Sequence, residues 1–591
     1  MAVNPIVSSV DPITFEILSH RVYQIAKEMG STLERVGGTV NTTQMHDYMA
    51  SLYLANGDVL SAGDAMGWHV ACAGFAVKRI IERFENDGGI NPDDIFLLND
   101  PYVAAIHQSD VYMISPIHFN AKLMGWSATF VHVMDIGAMS PGGNSPGATE
   151  ISHEGVRIPG IKLIERERMR RDVFDAITNM TRQPVHALFE QFGPELVTAV
   201  SREMLNYSES ILRKRIAEIP DGTWSETGSI HAGDTWNVHV TLNKRGERLL
   251  FDFTGSSPQA KKGINLPYHA TFGACYEAIL STMAYDLPKN HGALNPIEVI
   301  APPGTVVNSI PPAPVSLNTT SGGSTAKFVA NAVITQMLAT SEKWRGEVMA
   351  LNVGHRLARH AGVNQHGNYY VSTLSEGALD GTGARSYRDG DDTGDGLSSH
   401  NIEWLEANFP LLYLFRRNIK GGGGAGKYRG GAGSESALTV HDAPEGKIKG
   451  VALGVAGLRN SGQGLFGGYP GAPSLLMLTE GARVEETIAE DMSPDQLDDL
   501  GGRSSLLPYC EFDLGRNDVL YMRMASGGGY GDPLEREPQR VLRDVEDGVV
   551  SRQEVRDIYG VAIDGDEPAL NLGATEKLRA GLRKERLQEK I

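Results

Sequence analysis

The sequence predicts an α+β protein of several units, with mixed or antiparallel sheets, flanking helices and glycine-rich loops. Three observations carry this. Apolar residues recur at helical spacing near the N-terminus. Tight-turn signatures separate alternating apolar runs further on. Glycine, 68 of 591 residues, stands above the usual ~7% and favours turns and close backbone approach over long helices. A prior of about 150 residues per domain suggests three or four units. Changes in texture place divisions at 1–221, 222–540 and 541–591.

The elements follow in order. Asp11 can cap, and Pro12 open, a helix through "DPITFEILSHRVYQIAKEMGSTLERV". Its Leu18, Val22, Ile25, Met29 and Leu33 fall on one face. "HDYMASLYLANGDVLSAG" reads as a hairpin turning at Asn56-Gly57. "FAVKRIIERFEN" is a second helix, ended near "DGGINPDD". Residues 111–119 and 122–134 read as strands joined by a turn at Asn120-Ala121-Lys122. Pro116 marks the first of them as an edge or a bulge. Helices are expected over 169–180 and 185–219, the latter broken near Gly193-Pro194. From residue 222 strand–turn–strand patterns dominate, with helix-like "YHATFGACYEAILSTMAYDL" and "TAKFVANAVITQML" among them. Residues 420–475 are very glycine-rich, and the charged "ATEKLRAGLRKERLQEKI" reads as an exposed helix. No repeat at a fixed period is visible.

Bulk properties narrow the function classes. A chain 41% hydrophobic and 21% charged is an ordinary globular one. A net charge of −18 argues against nucleic-acid binding. Cys72, Cys275 and Cys510 form neither a zinc ribbon nor a disulfide framework, which fits a reducing, cytoplasmic setting. The N-terminus lacks the pattern of a signal peptide, and no apolar run is long enough to suggest a membrane span.

Two His-x-x-Asp units stand out: His107 with Asp110, and His132 with Asp135. A turn centred on Ala121 sets Asp110 opposite His132, give or take one position. Opposed residues have Cβ atoms roughly 5 Å apart. His107 lies in the loop just before. Two imidazoles and a carboxylate leave coordination positions open, as catalytic divalent-metal sites need. Surface hairpins also carry His and Asp without a metal, so spacing leaves both readings open. Asp47, Glu150 and Glu154 are further oxygen donors. A helical turn in "PGATEISHEG" would put the two glutamates on one face, although each could equally be solvated or capping. Asp135, three residues along the same strand, should point away from His132 unless the strand bends at Gly137. The run "GGGGAGKYRGG" lacks phosphate-loop order, since Lys427 is followed by Tyr428. Tight backbone packing is the plainer reading. No G-x-S-x-G elbow offers a nucleophilic serine.

Several segments together carry a resemblance. They are Asn99-Asp100-Pro101-Tyr102 running to His107 and Asp110, His132 to Gly137, Pro146 to Pro159, Asp252 to Gln259, the run ending in Tyr428-Arg429-Gly430-Gly431, and "SGGGYGDPLER". With them the chain resembles the hydantoinase B / 5-oxoprolinase family over nearly its full length. The resemblance implies a partner of the hydantoinase A type, an actin-like ATPase that binds ATP and Mg²⁺, in an α2β2 hetero-oligomer. It implies ATP-dependent opening of a cyclic amide such as a hydantoin, a lactam or 5-oxoproline. It selects His107, Asp110 and His132, with Asp47 as fourth, as ligands of one divalent transition metal, Mn, Zn or Fe. Glu150 or Glu154 would then move a proton, with Asp135 supporting from outside the ligand set. Members often read GGTH..D and HHADIG, where this chain reads "AAIHQSD" and "VHVMDIG". These forms lie nearer the acetone and acetophenone carboxylase branch, so a ketone carboxylase subunit is one alternative. A purely structural subunit is the other.

Overall fold

The computed structural model describes residues 11–36, 39–63, 67–170, 194–351, 357–374, 379–394, 399–453, 462–489, 497–565 and 568–588. The chain forms two compact units, Met1–Gly228 with Trp236–Ser341, and Ser229–Thr235 with Glu342–Ile591. The divisions expected after residues 221 and 540 fall inside the first and the second unit respectively. The architecture is α+β.

The first unit is built on a seven-stranded antiparallel sheet. Its strands are β1 (Tyr48–Leu54), β2 (Val59–Ala62), β3 (Ile95–Leu98), β4 (Asp110–Phe119), β5 (Lys122–His132), β6 (Pro159–Glu165) and β7 (Arg168–Met169), in the order β2-β1-β5-β4-β3-β6-β7. Helix α1 (Pro12–Val36) begins where Asp11 accepts a hydrogen bond from Thr14 N at 2.9 Å. Its Leu18, Val22 and Ile25 share a core with Leu52, Leu60 and Ile117 of the sheet and with Val200 and Met204 of α3 (Pro194–Ala217). Helix α2 (Gly67–Phe84) starts earlier than its apolar pattern suggested. Its Val70, Ala73, Val77 and Ile80 pack with Phe96, Tyr112, Trp126 and Phe130. The helices expected over 169–180 and 185–193 lie almost wholly outside the described residues.

The β4–β5 hairpin turns at Asn120 (φ 49°) and Ala121 (φ 62°), a left-handed pair suited to the twist of two-residue hairpins. Pro116 sits in an interior strand, against the edge expectation. It is tolerated because β3 pairs only with Tyr112 to Ile114 of β4, so Pro116 lies beyond that ladder. The register shift falls beside it, between Ile117 and His118.

A second sheet contains β8 (Gly222–Ala232), β9 (Asp234–Arg245), β10 (Arg248–Asp252) and β11 (Ile297–Ile300), ordered β11-β10-β9-β8, with all but Ser229–Thr235 in the first unit. The expected helices form as α4 (Tyr268–Leu280) and α5 (Gly322–Ala339). Helix α4 packs on α2, and α5 on α4.

The second unit pairs two sheets around one core. The first contains β12 (Leu357–Val363), β13 (Tyr369–Leu374), β16 (Lys447–Leu453) and β19 (Cys510–Gly515). The second contains β14 (Leu411–Asn418), β15 (Ser434–Val440), β17 (Leu475–Glu480), β18 (Arg503–Leu506) and β20 (Val519–Arg523). Tyr370 and Ile448 from one meet Leu438, Leu476 and Met522 from the other. The glycine runs pack backbone on backbone. A Cβ on Gly430 would lie 1.9 Å from Gly527 O, and one on Gly527 would lie 1.8 Å from Thr382 O. No other residue fits either place. Arg536, 1% exposed, ties this region together through paired bonds to Asp389 (2.7 and 2.9 Å) and Asp544 (2.9 and 3.2 Å). The charged C-terminal stretch forms the helix Leu572–Gln588. Among the described residues no helix is long and apolar enough to cross a membrane.

Candidate metal centre

The register of the β4–β5 ladder builds the site. Asp110 opens β4 and pairs directly with His132, the last residue of β5. Asp110 Oδ1 lies 3.3 Å from His132 Nδ1 and 3.8 Å from His107 Nδ1. The two imidazoles stand edge to face, with centroids 4.8 Å apart. One ligand atom from each of the three residues lies within 4.8 Å of the others. All three are buried, at 6%, 1% and 4% exposure for His107, Asp110 and His132. Asp110 Oδ2 is also buried and accepts no hydrogen bond. An orphaned buried acceptor is costly, and a cation would satisfy it.

Asp47 comes from a different strand. It immediately precedes β1, which pairs with β5, and its carbonyl accepts from His132 N at 3.3 Å. That brings Asp47 Oδ2 to 3.6 Å from His132 Nδ1. Four expected ligands therefore gather at one end of the sheet.

The loop holding His107 is pinned from several sides. Asp100 Oδ1 accepts from Tyr102 N at 2.9 Å, an Asx turn that starts the loop. Asn99 Nδ2 donates to Gln108 O and Val156 O, and Asn99 Oδ1 accepts from Ile158 N. Gln108 Nε2 donates to Gly155 O. These bonds account for the Asn-Asp-Pro-Tyr and Glu-Gly-x-Arg-Ile-Pro segments as a scaffold for the site.

The remaining expected residues fall elsewhere. Asp135 is exposed, past the end of β5, and its Oδ1 accepts from Gly137 N at 2.8 Å in a local turn. Glu150 and Glu154 do not share a face, because Ile151–Glu154 is a 3₁₀ turn rather than an α-helical one. Glu150 is exposed and pairs with His153 at 3.3 Å. Glu154 is 1% exposed and accepts from Val315 N (2.7 Å) and Ser316 N (2.8 Å). Burial pushes its carboxyl up to about 7 against those bonds.

Three residues near the site escaped the sequence reading. His269 Nε2 lies 2.9 Å from Ala105 O, and Asn318 Nδ2 donates to Ile106 O, so both hold the backbone just before His107. Burial keeps the His269 imidazole down to about 4, hence neutral. His69, on α2, packs its ring against Phe130 in a tilted pair with centroids 4.3 Å apart. In sequence, His69 and His269 are single histidines in apolar helices, which more often mark a satisfied core residue.

The hydantoinase B/oxoprolinase family model matches residues 11–533. The acetophenone carboxylase delta subunit of Aromatoleum aromaticum is 26% identical over 97% of this chain and 89% of its own length. The caprolactamase subunit beta of Pseudomonas jessenii is 26% identical over 97% of this chain and 100% of its own length. The nucleotide-free structure of acetone carboxylase shares the fold, with a TM-score of 0.83 at 24% identity over 98% of this chain and 84% of that one. The chain belongs to the hydantoinase B/oxoprolinase family.

Proposed function

We propose that this chain is the metal-holding subunit of an ATP-dependent enzyme that opens a cyclic amide, namely a hydantoin, a lactam or an oxoproline-like ring. It works with a hydantoinase A-type subunit that binds ATP and Mg²⁺, in a hetero-oligomer of α2β2 type. The observation that carries this reading is the convergence of three buried side chains, with the Nδ1 atoms of His107 and His132 at 3.8 and 3.3 Å from Asp110 Oδ1. Two imidazole nitrogens and a carboxylate fit Mn²⁺, Zn²⁺ or Fe²⁺ better than Ca²⁺. Asp47 supplies the fourth donor. A divalent ion held there supplies Lewis acidity to the oxygen of the reacting group.

The chain's own residues have separable tasks. His107, Asp110 and His132 hold the ion. Asn99, His269 and Asn318 hold the His107 loop. Glu154 anchors the 151–154 turn to Val315 and Ser316. With its oxygens so engaged, and with Asp135 and Glu150 in exposed local contacts, this reading gives none of the three a proton-transfer role.

A second reading is favoured by the "AAIHQSD" and "VHVMDIG" forms and by the acetophenone carboxylase relative. In it the same centre serves ATP-dependent carboxylation of a ketone. Reconstitution with the A-type subunit separates the two. ATP turnover on a lactam, hydantoin or 5-oxoproline without bicarbonate supports ring opening. Strict dependence on both a ketone and bicarbonate would replace it with the second reading.

A further inference from the structure

Behind the metal centre sits an imidazole that the proposed chemistry has not used. Side chains two apart on a strand share a face. Tyr112 and Phe130 form the pair one rung inward from Asp110 and His132, on the same face of the hairpin. His69 reaches over this face from α2, its ring 4.3 Å from that of Phe130. Rungs on one face are ~7 Å apart, so Asp110 lies one rung beyond the pair that His69 covers. The electrostatics agree, since Asp110, His107 and His132 all act on the His69 ring.

His69 is 3% exposed, and its Nδ1 is buried with no hydrogen-bond partner. Asp110 Oδ2 is in the same condition. Two orphaned buried atoms on facing elements are each costly, and a hydrogen-bonded link between them removes both costs. An imidazole can offer an N–H or a lone pair at Nδ1, and a carboxylate oxygen accepts, so the two atoms are chemically matched.

We propose that His69 is a positioning residue of this centre: its Nδ1 is linked by hydrogen bonding to Asp110 Oδ2, directly or through one water, and orients that carboxylate toward the divalent ion. This rests on the metal reading above. Partners of this kind outside the ligand set commonly change metal affinity by 10–100-fold.

Mn²⁺ titration of the full chain, followed by electron paramagnetic resonance, tests it. His69→Phe keeps a ring against Phe130 but removes the nitrogen, and should weaken Mn²⁺ binding by about 10–100-fold and alter the Mn²⁺ spectrum. His69→Asn places a polar atom where Nδ1 was and should recover most of the affinity. His69→Gln, whose amide reaches the Nε2 position instead, should not. Should His69→Phe fail to fold, the Asn-versus-Gln contrast decides alone. Equal binding by His69→Phe and wild type, or by His69→Asn and His69→Gln, overturns the role of His69 while leaving the metal centre standing. A wild-type chain that binds no Mn²⁺ overturns the metal reading and this role with it.

Discussion

Asp110 and His132 face each other across one rung of the β4–β5 ladder, with Oδ1 and Nδ1 3.3 Å apart. A slip of one residue would send one of them to the opposite face. The local turn and the single register shift at Ile117/His118 therefore decide whether a site exists at all.

The aspartates of the two His-x-x-Asp units are thus unequal. Asp110→Asn leaves a neutral amide where the ion needs an anion, and should lower metal affinity by more than the ~10–100-fold expected of partners outside the ligand set. Asp135→Asn alters only the exposed turn with Gly137 and should change affinity and turnover less than twofold. Metal titration of both variants checks this.

Glu154 makes stability depend on pH. Burial opposes its charge and pushes the folded carboxyl up to about 7, above the ordinary carboxylate range. The unfolded chain therefore ionises first as pH rises. Stability from this group is fully present below the unfolded value and is lost as pH climbs through about 7. Glu154→Gln removes that titration at the cost of one acceptor for Val315 and Ser316. Its melting temperature should be lower at pH 5 and should fall less between pH 5 and 8 than that of wild type. Parallel melting curves for the two proteins would contradict the assignment.

Arg536 is a buried charge compensated by Asp389 and Asp544. Arg536→Ala strands both carboxylates and should cost about 3–5 kcal/mol of stability. Denaturant unfolding would show this as a lower midpoint. The metal content of the folded fraction should be unchanged, since Arg536 belongs to the unit that does not carry the triad.

The glycine segments are filled by the chain's own backbone at Gly430, Gly527 and Gly528, which leaves no cradle for phosphate there. The isolated chain should neither bind nor hydrolyse ATP, and should open no cyclic amide until the A-type subunit is added. Calorimetric titration with ATP and a phosphate-release assay on the single chain check both statements.

Much of the hairpin was legible because its determinants are local. Alternating apolar residues and a tight turn set Asp110 opposite His132 before any tertiary contact is known. Asp47 was not legible that way, because it arrives through the pairing of β1 with β5, distant in sequence, and only the family resemblance singled it out. Asp135 was expected to point away from His132; it lies apart because β5 ends at His132 and the chain turns at Gly137, a strand end that no local pattern marked. The two glutamates were misplaced by an α-helical assumption in a 3₁₀ turn. Pro116 signalled an edge or a bulge; it lies in an interior strand, but beyond the β3 ladder and beside the register shift at Ile117/His118. His69, His269 and Asn318 reach the centre through packing of α2, α4 and the segment before α5, which no local pattern reports.

The central claim is that His107, Asp110 and His132 hold an ion on which turnover depends. Elemental analysis of the complex reconstituted with the A-type subunit tests it most directly, run on wild type, His107→Ala and His132→Ala. The account predicts about one Mn, Zn or Fe per chain in wild type, the four-ligand set being mononuclear. It predicts loss of both metal and turnover in each variant, with assembly intact. An active wild-type complex free of metal, or full activity in His107→Ala, would contradict it.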